Sequence, residues 1–367
     1  MKFNNFDTPV LLVYREKLLE NIRSMADILK GKNINLRPHI KTHKCPEIAK
    51  MQIDNGAKGI TVSKLGEAEV MSERGFKDIL IAYPIFGEVK KERLVKVYKN
   101  TDNLIISIDS FKVALFLSDI GISINNKINC LFELNTGLNR TGQRPSDKTI
   151  DLIKEIIKLP GIRFKGLMIY PGVAHNLESL PLIEEEVKKE YSLLISFIQK
   201  LKDKGINCEI VSGGSTLSIE FEKDFKIINE LRPGTYVFND RSHIEMKMIN
   251  EDKCAATVLA TVISVPEKNR AVIDAGAKCL GRELLFNDIL KGFGLVKDRP
   301  DLLIENLYEE HGVLKSSISN INLSIGDRLE IIPNHICLTV NNFDNFTFIE
   351  NNHFLQEVKI SCRGKYQ

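Results

Sequence analysis

The sequence lacks long apolar runs, a marked excess of charge of either sign, and paired cysteines. No stretch approaches the roughly 20 consecutive apolar residues that a membrane-spanning helix requires. A net charge of +3 over 367 residues is too small to indicate binding to nucleic acid or to an anionic membrane, and no long basic block occurs. The sequence therefore gives no indication of a membrane or nucleic-acid partner.

The seven cysteines are scattered without a CxxC pair, and the first ten residues, MKFNNFDTPV, lack the apolar core of a signal peptide. Unpaired cysteines in an odd number favour free thiols in a reducing compartment. The composition is that of an ordinary globular protein, because 43% of the residues are hydrophobic and 27% are charged. We therefore expect a cytoplasmic protein.

Residues 34 to about 240 alternate between short β-branched runs and amphipathic helical stretches. Eight such alternations favour a parallel (β/α)8 barrel of the TIM type over an open sheet. A further strand and helix, LLVYREKLLENIRSMADIL, precede the first barrel strand. The predicted barrel strands are NLRPHIK (35–41), GITVS (59–63), DILIAYP (78–84), NLIISID (103–109), INCLFELN (128–135), RFKGLMIY (163–170), CEIVSG (208–213) and LRPGTYVF (231–238).

After about residue 250 the sequence changes to strand-like runs separated by turns, with little helical periodicity. Four of these runs are ATVLATVISV, RAVIDAGAKC, DRLEIIPNHICLTVN and NFTFIE. They predict a separate, mostly antiparallel β domain, in which the glycine- and charge-rich segment 280–315 is irregular. We therefore predict an α/β barrel over residues 1–245, whose first ten or so residues could join the second domain, and a β domain over residues 246–367.

The stretch LRPHIKTHK (36–44) places several cationic and imidazole side chains in a predicted strand. Side chains alternate across a strand, so Arg37, His39 and Lys41 share one face. Buried cations are costly unless they are compensated, so we interpret this face as one that meets an anionic ligand. Lys41 ends its strand on the side where barrels of this type build their active sites.

Glycine-rich turns follow two later strands of the predicted barrel, SGGST (212–216) and RPGTY (232–236). Backbone N–H groups and hydroxyls in such turns can bind phosphate, and phosphate sites recur at this position in barrels. A flexible turn is the ordinary alternative. A lysine facing a phosphate site suggests pyridoxal 5'-phosphate (PLP) held as a Schiff base, although most lysines just past a strand are surface residues.

His335 and Cys337 form an H-x-C pair within a predicted strand, which would place both side chains on one face. Imidazole and thiolate together favour zinc over magnesium or calcium. Simple packing is the ordinary alternative, because a structural zinc site takes four ligands. The two residues alone leave both interpretations open.

Motifs distributed over almost the whole chain, from TPVLLVY near residue 8 to RGK at 363–365, resemble the D-serine dehydratase/D-threonine aldolase family. The resemblance implies the alanine-racemase-like fold of fold type III PLP enzymes, a homodimer, and a small D-amino acid as substrate. The motifs that carry it are RPHIKTHK, LNTGLNRTGQR, VSGGST, ELRPGTYVFND, DAGAK, YEEHG and PNHICLTVN.

The same resemblance assigns roles to individual residues. Lys41 would be the Schiff-base lysine, Arg140 would contact the phenolic oxygen of the cofactor, and Arg232 would face the pyridine nitrogen. His335 and Cys337 would bind a divalent metal, either zinc or manganese. The residues expected to form the phosphate cradle are Ser212, Gly213, Gly214, Ser215, Thr216, Gly234 and Thr235.

Other residues near these motifs are secondary candidates from the sequence. Tyr170, at the end of the predicted sixth strand, is expected either to stack near the cofactor or to fill the barrel rim. Asp274 and Lys278 in DAGAK are expected to form a turn in the β domain. The remaining candidates, for each of which a surface or capping role is the alternative, are His43, His175, Glu309, Glu310 and His311.

Two lyase reactions fit the implied cofactors: dehydration of D-serine to pyruvate and ammonia, and cleavage of D-threonine to glycine and acetaldehyde. In the resembled family the dehydratase branch carries H-x-C and the aldolase branch H-x-D, so Cys337 favours dehydration. A racemase is the alternative, but no tyrosine occurs between Asp240 and Leu307 to act as a second base. A non-catalytic PLP carrier is a further alternative, for which a second domain would have no purpose.

Overall fold

The computed structural model describes residues 3, 5–172, 177, 179–222, 226–285, 291–318 and 320–367. Within this part of the chain the residues pack into two compact units. The first consists of the N-terminal segment up to Ser24, the short segment Thr42–Cys45 and the stretch Thr235–Arg363. The second consists of Met25–Lys41, Pro46–Gly234 and Gly364–Gln367. The predicted domain boundary at residue 245 stays a prediction.

The helices follow the apolar periodicity of the sequence. The helix over residues 180–203 buries one apolar face, whose members are three or four residues apart: Ile183, Val187, Tyr191, Leu194, Phe197 and Leu201. Ser146 caps the helix that follows it, because its hydroxyl accepts the N–H of Thr149. The helices are α1 Arg15–Leu29, α2 Pro46–Asp54, α3 Leu65–Glu73, α4 Lys91–Asn100, α5 Phe111–Ser123, α6 Asp147–Ile157, α7 Leu180–Asp203, α8 Ile219–Glu222, α9 Arg241–Glu245, α10 Ala277–Leu280 and α11 Ile336–Asn342.

The second unit contains an eight-stranded parallel sheet, which confirms the predicted barrel. Its strands are β2 Asn35–Leu36, β3 Ile60–Val62, β4 Asp78–Ile81, β5 Asn103–Ile108, β6 Ile128–Glu133, β7 Ile162–Met168, β8 Ile210–Gly213 and β9 Glu230–Leu231. The order is β2-β9-β8-β7-β6-β5-β4-β3. The sheet closes on itself where the Thr61 N–H donates to the Pro38 carbonyl (2.8 Å) and the Ile40 N–H donates to the Thr61 carbonyl (2.9 Å).

The first and eighth predicted strands are shorter than expected. The first contains a proline, which supplies no N–H, and its ladder is reduced to β2 and a single bridge between His39 and Thr61. The eighth contains a Pro-Gly pair, so β9 ends at Leu231 and a 3-10 turn forms over Thr235–Val237. Both chain segments therefore leave the sheet early, at its C-terminal edge.

The first unit contains a nine-stranded, mostly antiparallel sheet, as predicted. Its strands are β1 Val10–Tyr14, β10 Ala256–Glu267, β11 Arg270–Ile273, β12 Leu295–Val296, β13 Leu302–Leu307, β14 Gly312–Ser316, β15 Arg328–Ile332, β16 Asn345–Glu350 and β17 His353–Lys359. The order is β11-β14-β13-β12-β15-β10-β1-β16-β17, with β10 also paired to β11. The pairing of β1 with β16 is parallel, and the other pairings are antiparallel.

Two predictions for this unit are wrong. The segment 280–315 was expected to be irregular, yet it forms β12, β13 and β14 in the described part of the chain. Exposed charged residues, such as Glu305 on β13, break the apolar alternation that marks a strand. The run DRLEIIPNHICLTVN was expected to be one strand, but β15 ends at Ile332, next to Pro333, and α11 begins at Ile336.

Of the helices in the described part of the chain, none combines the length and apolarity needed to cross a lipid bilayer. All seven cysteines are free thiols, in agreement with the expectation from their spacing.

Candidate active site

Three of the predicted site residues lie together in the barrel unit. The Lys41 ammonium lies 5.6 Å from the centre of the Tyr170 ring, and the Arg140 guanidinium lies 4.9 Å from the same centre. Each residue follows the C-terminal end of its own strand, β2, β6 or β7. Two cations around one aromatic ring attract an anion between them. This arrangement suits a cofactor that carries a phenolate and a phosphate.

The loop that carries Arg140 is held by its own side chains. The Asn135 side-chain oxygen accepts the N–H groups of Gly137 and Asn139, each at 3.1 Å. Gly142 has a φ of +88°, and a Cβ there would lie 2.9 Å from the Asn135 nitrogen, so only glycine fits. The motif LNTGLNRTG therefore fixes the position of Arg140 through local hydrogen bonds.

The two glycine-rich turns present unpaired donors. The backbone N–H groups of Gly214 and Gly234 find no hydrogen-bond acceptor among the residues the structure describes, although both residues are buried. A bond from the Arg232 N–H to the Gly213 carbonyl (3.0 Å) holds the two turns side by side. Gly214 has a φ of +86°, which favours glycine. Buried N–H groups need partners, and a phosphate fits these two.

Other members of the predicted cradle use their side chains within the protein. The Ser215 hydroxyl lies 2.8 Å from that of Ser218, which also accepts the Ser215 N–H (2.9 Å). The buried Ser212 hydroxyl donates to Glu230 (2.7 Å) and accepts from Arg232 (2.6 Å). A serine hydroxyl has one proton to donate, so Ser212 has none left for a phosphate. Thr216 is buried in the same turn.

Arg232 is buried and its guanidinium donates to the Ser212 hydroxyl and to the Ile169 carbonyl, both at 2.6 Å. These bonds tie β9 to β8 and to the end of β7. The contact with a pyridine nitrogen that the family resemblance implied for Arg232 stays a prediction.

The interpretation of Arg37 as part of an anionic-ligand face is wrong. Its side chain is fully buried, and it donates to Glu230 (2.7 Å) and to Asp78 (2.5 Å). Two carboxylates of the protein itself therefore compensate the cation. The alternation of side chains along the strand correctly predicts that the Arg37 cation needs an anionic partner. It does not distinguish a bound ligand from a carboxylate side chain on another strand of the barrel.

The metal-ligand candidates His335 and Cys337 lie at the start of α11 rather than on a strand, and His335 is the N-cap residue. The His335 Nδ1 atom lies 2.8 Å from Glu283 Oε2, and the ring is also hydrogen-bonded to Cys337. The Cys337 sulfur lies 3.2 Å from the hydroxyl of the buried Thr42. Burial alone would lower the pKa of His335, but Cys337, Glu283 and Asp240 raise it to about 11.

The described residues contain no cluster of three or more histidine, cysteine, aspartate or glutamate side chains arranged to hold a metal. Binding of a metal by His335 and Cys337 as a pair, with the other positions open to water or substrate, stays a prediction. Their nitrogen and sulfur donors suit zinc better than a hard cation.

Asp240 links the predicted phosphate residue Thr235 to the start of α11 within the first unit. Its Oδ2 atom accepts the N–H of Ile336 (3.1 Å), the residue between the two metal-ligand candidates in the sequence. Asp240 therefore caps the first turn of α11. Its Oδ1 atom lies 2.9 Å from His243 Nδ1, off the line of a hydrogen bond, and His243 Nε2 lies 3.3 Å from the Thr235 hydroxyl. Burial alone would raise the pKa of Asp240, but His243 and other partners lower it to about 2.

The secondary candidates make contacts within the protein where the structure describes them, and their roles stay predictions. Lys278 pairs with Glu309 (3.1 Å) and Glu310 (2.7 Å), and Asp274 accepts the Thr261 N–H (2.8 Å). His43 Nδ1 accepts the Cys45 N–H (3.2 Å), and the His311 carbonyl accepts the Tyr308 N–H (2.8 Å). His175 lies outside the described residues.

Sequence reasoning missed four acidic residues: Glu190, Glu230, Asp240 and Glu283. Only Asp240 has a local signal, because it precedes RSHIE as the N-cap of α9. Each of the others meets its partner from a distant part of the chain, so no spacing rule points to it.

Comparison with known proteins decides the family. Residues 13–242 match the alanine racemase N-terminal domain, and residues 255–349 match a serine dehydratase domain. The crystal structure of D-threonine aldolase from Filomicrobium marinum has a TM-score of 0.92 and 30% identity, covering 100% of this chain and 98% of that one. The chain belongs to the D-serine dehydratase/D-threonine aldolase family.

Relatives in the family carry different activities. A D-serine dehydratase from Dictyostelium discoideum is 29% identical, covering 95% of this chain and 95% of that protein. A D-threo-3-hydroxyaspartate dehydratase from Delftia sp. HT23 has a TM-score of 0.90 and 26% identity, covering 98% of both chains. Solved mutants of that dehydratase include a histidine-to-alanine variant and, two positions later, a cysteine-to-alanine variant in the metal-free form. Membership in this family implies PLP as the cofactor.

Proposed function

We propose that this chain is a PLP- and metal-dependent lyase of D-3-hydroxy amino acids, with D-serine dehydratase-like activity favoured over D-threonine aldolase-like activity. The family supplies the reaction class, because its named members are dehydratases and aldolases of such substrates. The residues of this chain supply the rest of the argument.

One observation carries the proposal. The Cys337 sulfur lies 3.2 Å from the Thr42 hydroxyl, and Thr42 directly follows Lys41 in the sequence. One peptide bond therefore separates the cofactor-binding lysine from the residue that contacts a metal-ligand candidate. A lyase that polarises a β-hydroxyl needs a metal ligand, whereas a racemase has no need of one.

The residues present fit both cofactors. Lys41 and Arg140 would hold the ring end of PLP beside Tyr170, and the N–H groups of Gly214 and Gly234 would hold its phosphate. The proposed cradle also includes Gly213, Ser215, Thr216 and Thr235, whereas the Ser212 hydroxyl, already donated to Glu230, would support the turn rather than bind the phosphate. The proposed metal ligands are His335 and Cys337.

When bound, PLP stabilises negative charge at the substrate Cα, and a divalent metal polarises the β-hydroxyl. Lys41 would act as the base that takes the Cα proton in dehydration, while the β-hydroxyl leaves. The cation of Arg140 would bind and orient the anionic substrate and cofactor. For aldol cleavage the proton would leave the hydroxyl instead, and the Cα–Cβ bond would break.

Cys337 favours dehydration over aldol cleavage. In the family resemblance the dehydratase branch has H-x-C, whereas the aldolase branch has H-x-D, and this chain has Cys337 two residues after His335. A thiolate favours zinc over the harder manganese. We therefore propose zinc as the metal.

Absorbance tests the cofactor part. The purified protein with added PLP is expected to absorb near the visible band of a lysine-bound cofactor, and Lys41→Ala is expected to lose that band. Lys64→Ala is the matched control, because Lys64 also lies over a tyrosine ring, that of Tyr83, at 3.7 Å. A colourless wild-type protein, or an unchanged band in Lys41→Ala, would contradict the proposal.

Product analysis tests the reaction. D-serine is expected to give pyruvate and ammonia, and a chelator is expected to abolish the reaction until zinc is restored. Glycine plus aldehyde from D-threonine, at a higher rate than pyruvate from D-serine, would reverse the preference between the two lyases. Chelator-insensitive interconversion of D- and L-alanine alone would rule out a lyase.

We further propose a cytoplasmic homodimer. Free thiols support the compartment, and the family resemblance supports the dimer. Light scattering during size-exclusion chromatography measures the mass directly, and a mass near 41.6 kDa would contradict the dimer.

A further inference from the structure

Glu283 lies against the proposed metal ligand His335, and nothing in the sequence pattern points to it. Its Oε2 atom is 2.8 Å from His335 Nδ1. A carboxylate only accepts hydrogen bonds, so Nδ1 must carry the proton. The other ring nitrogen, Nε2, is then the one with a lone pair for a metal.

The position of Glu283 is held by the residue next to His335. The side-chain amide of the buried Asn334 donates to the Glu283 carbonyl (2.9 Å) and to the Gly292 carbonyl (2.8 Å). The Asn334 oxygen accepts from Arg241 (3.2 Å). Every hydrogen-bonding atom of that amide is therefore used, and the backbone at residue 283 is fixed relative to residue 334. The carboxylate and the imidazole therefore project from two backbone segments that are hydrogen-bonded to each other, and not from two independent surface loops.

We propose that Glu283 is a positioning residue of the metal site, which accepts the Nδ1 proton of His335 and turns Nε2 toward the metal beside Cys337. Metal-binding histidines commonly donate their second ring N–H to a carboxylate, which fixes the tautomer and the ring orientation. Loss of such a partner typically weakens metal affinity by about 10- to 100-fold. The inference rests on the proposed function only in that His335 and Cys337 bind a metal.

An ordinary surface ion pair is the alternative, because the two side chains are 37% and 46% exposed. Exposed pairs contribute little and are screened by salt. The pair Glu305–Lys315 (3.0 Å), in which Glu305 is 48% exposed, provides a matched control in the same unit. Removing either glutamate changes the net charge by the same amount, but only Glu283 contacts a proposed ligand.

The experiment measures binding of Zn²⁺ by competition with a chromophoric chelator, on protein freed of metal. Glu283→Ala is expected to weaken Zn²⁺ binding by about 10- to 100-fold, and Glu305→Ala is expected to change it by less than about 2-fold, since an exposed pair contributes little. The Zn²⁺ affinity of Glu283→Gln is expected to lie between those of the two alanine variants, because the glutamine amide oxygen can still accept a hydrogen bond from Nδ1 but carries no charge. Absorption of Co²⁺ in place of Zn²⁺ gives a second readout, since the thiolate–cobalt band of Cys337 should persist in Glu283→Ala at saturating metal.

The outcomes separate the two claims. A wild-type protein that binds no Zn²⁺ would remove the metal from the proposed function and this inference with it. A wild-type protein that binds Zn²⁺, with equal affinities for Glu283→Ala and Glu305→Ala, would overturn the positioning role alone. Equal thermal unfolding of these two metal-free variants checks that both are folded.

Discussion

Glu190 on α7 gives a quantitative test of the barrel structure. Its side chain is 1% exposed, and its Oε2 atom accepts the hydroxyl of Thr136 (2.7 Å) in the loop that carries Arg140. Its Oε1 atom is buried and has no partner among the described residues. Burial raises the pKa of Glu190 from 4.5 to about 7, and the bond from Thr136 opposes the rise only in part.

The sign of the effect follows from proton binding. Between pH 4.5 and 7 the folded state holds the Glu190 proton more tightly than the unfolded state does, so stability falls as pH rises through this window. Each pKa unit corresponds to about 1.4 kcal/mol. The full penalty in the free energy of unfolding, present above pH 7, is therefore about 3 kcal/mol for this buried carboxyl.

Glu190→Gln removes the ionisation but keeps the shape, so it should remove the penalty. Relative to the wild type, the variant is expected to gain stability from pH 5 to pH 8, by up to about 3 kcal/mol. Urea unfolding at constant ionic strength, followed by circular dichroism, measures the difference at each pH. Glu184→Gln is the control on the same helix, because Glu184 forms an exposed pair with Lys188. A difference that does not change with pH, or a variant less stable at pH 8, would refute the reasoning.

Two further substitutions test the buried charges. Arg37→Met leaves the buried Glu230 without its cationic partner and is expected to lower the free energy of unfolding by about 3–5 kcal/mol. The double variant Arg37→Met/Glu230→Leu should recover most of that loss. A free energy of unfolding for Arg37→Met within about 1 kcal/mol of the wild type, measured by urea unfolding, would contradict this. Asp240→Asn is expected to lower the stability of the metal-free protein by about 2 kcal/mol at pH 7, because the lowered pKa of Asp240 contributes stability above pH 4. The difference in thermal unfolding should narrow as the pH falls from 4 toward 2, and a constant difference would argue against a stabilising charge.

Most of the barrel could be predicted because its signals are local. Strands such as β5 and β6 are apolar runs bounded by turns, and the structure places them within two residues of their predicted ends. The Lys41–Tyr170–Arg140 cluster was also predictable in outline, since parallel strands bring their C-terminal ends to one edge. The predictions failed where exposed charges interrupt the pattern, as on β13, and where a helix begins directly after a strand, as at Ile336.

The sequence by itself determined the alternation of strands and helices, the turn glycines, the lysine at the strand end and the H-x-C spacing, because each depends on neighbours a few residues away. Only the tertiary structure decided that Glu230 and Asp78 compensate Arg37, that Glu283 contacts His335, and that Glu190 accepts a hydrogen bond from Thr136. A strand or helix pattern fixes the face on which a side chain lies. The partner of that side chain comes from a distant segment of the chain, so the two groups come within hydrogen-bond distance only when the chain folds.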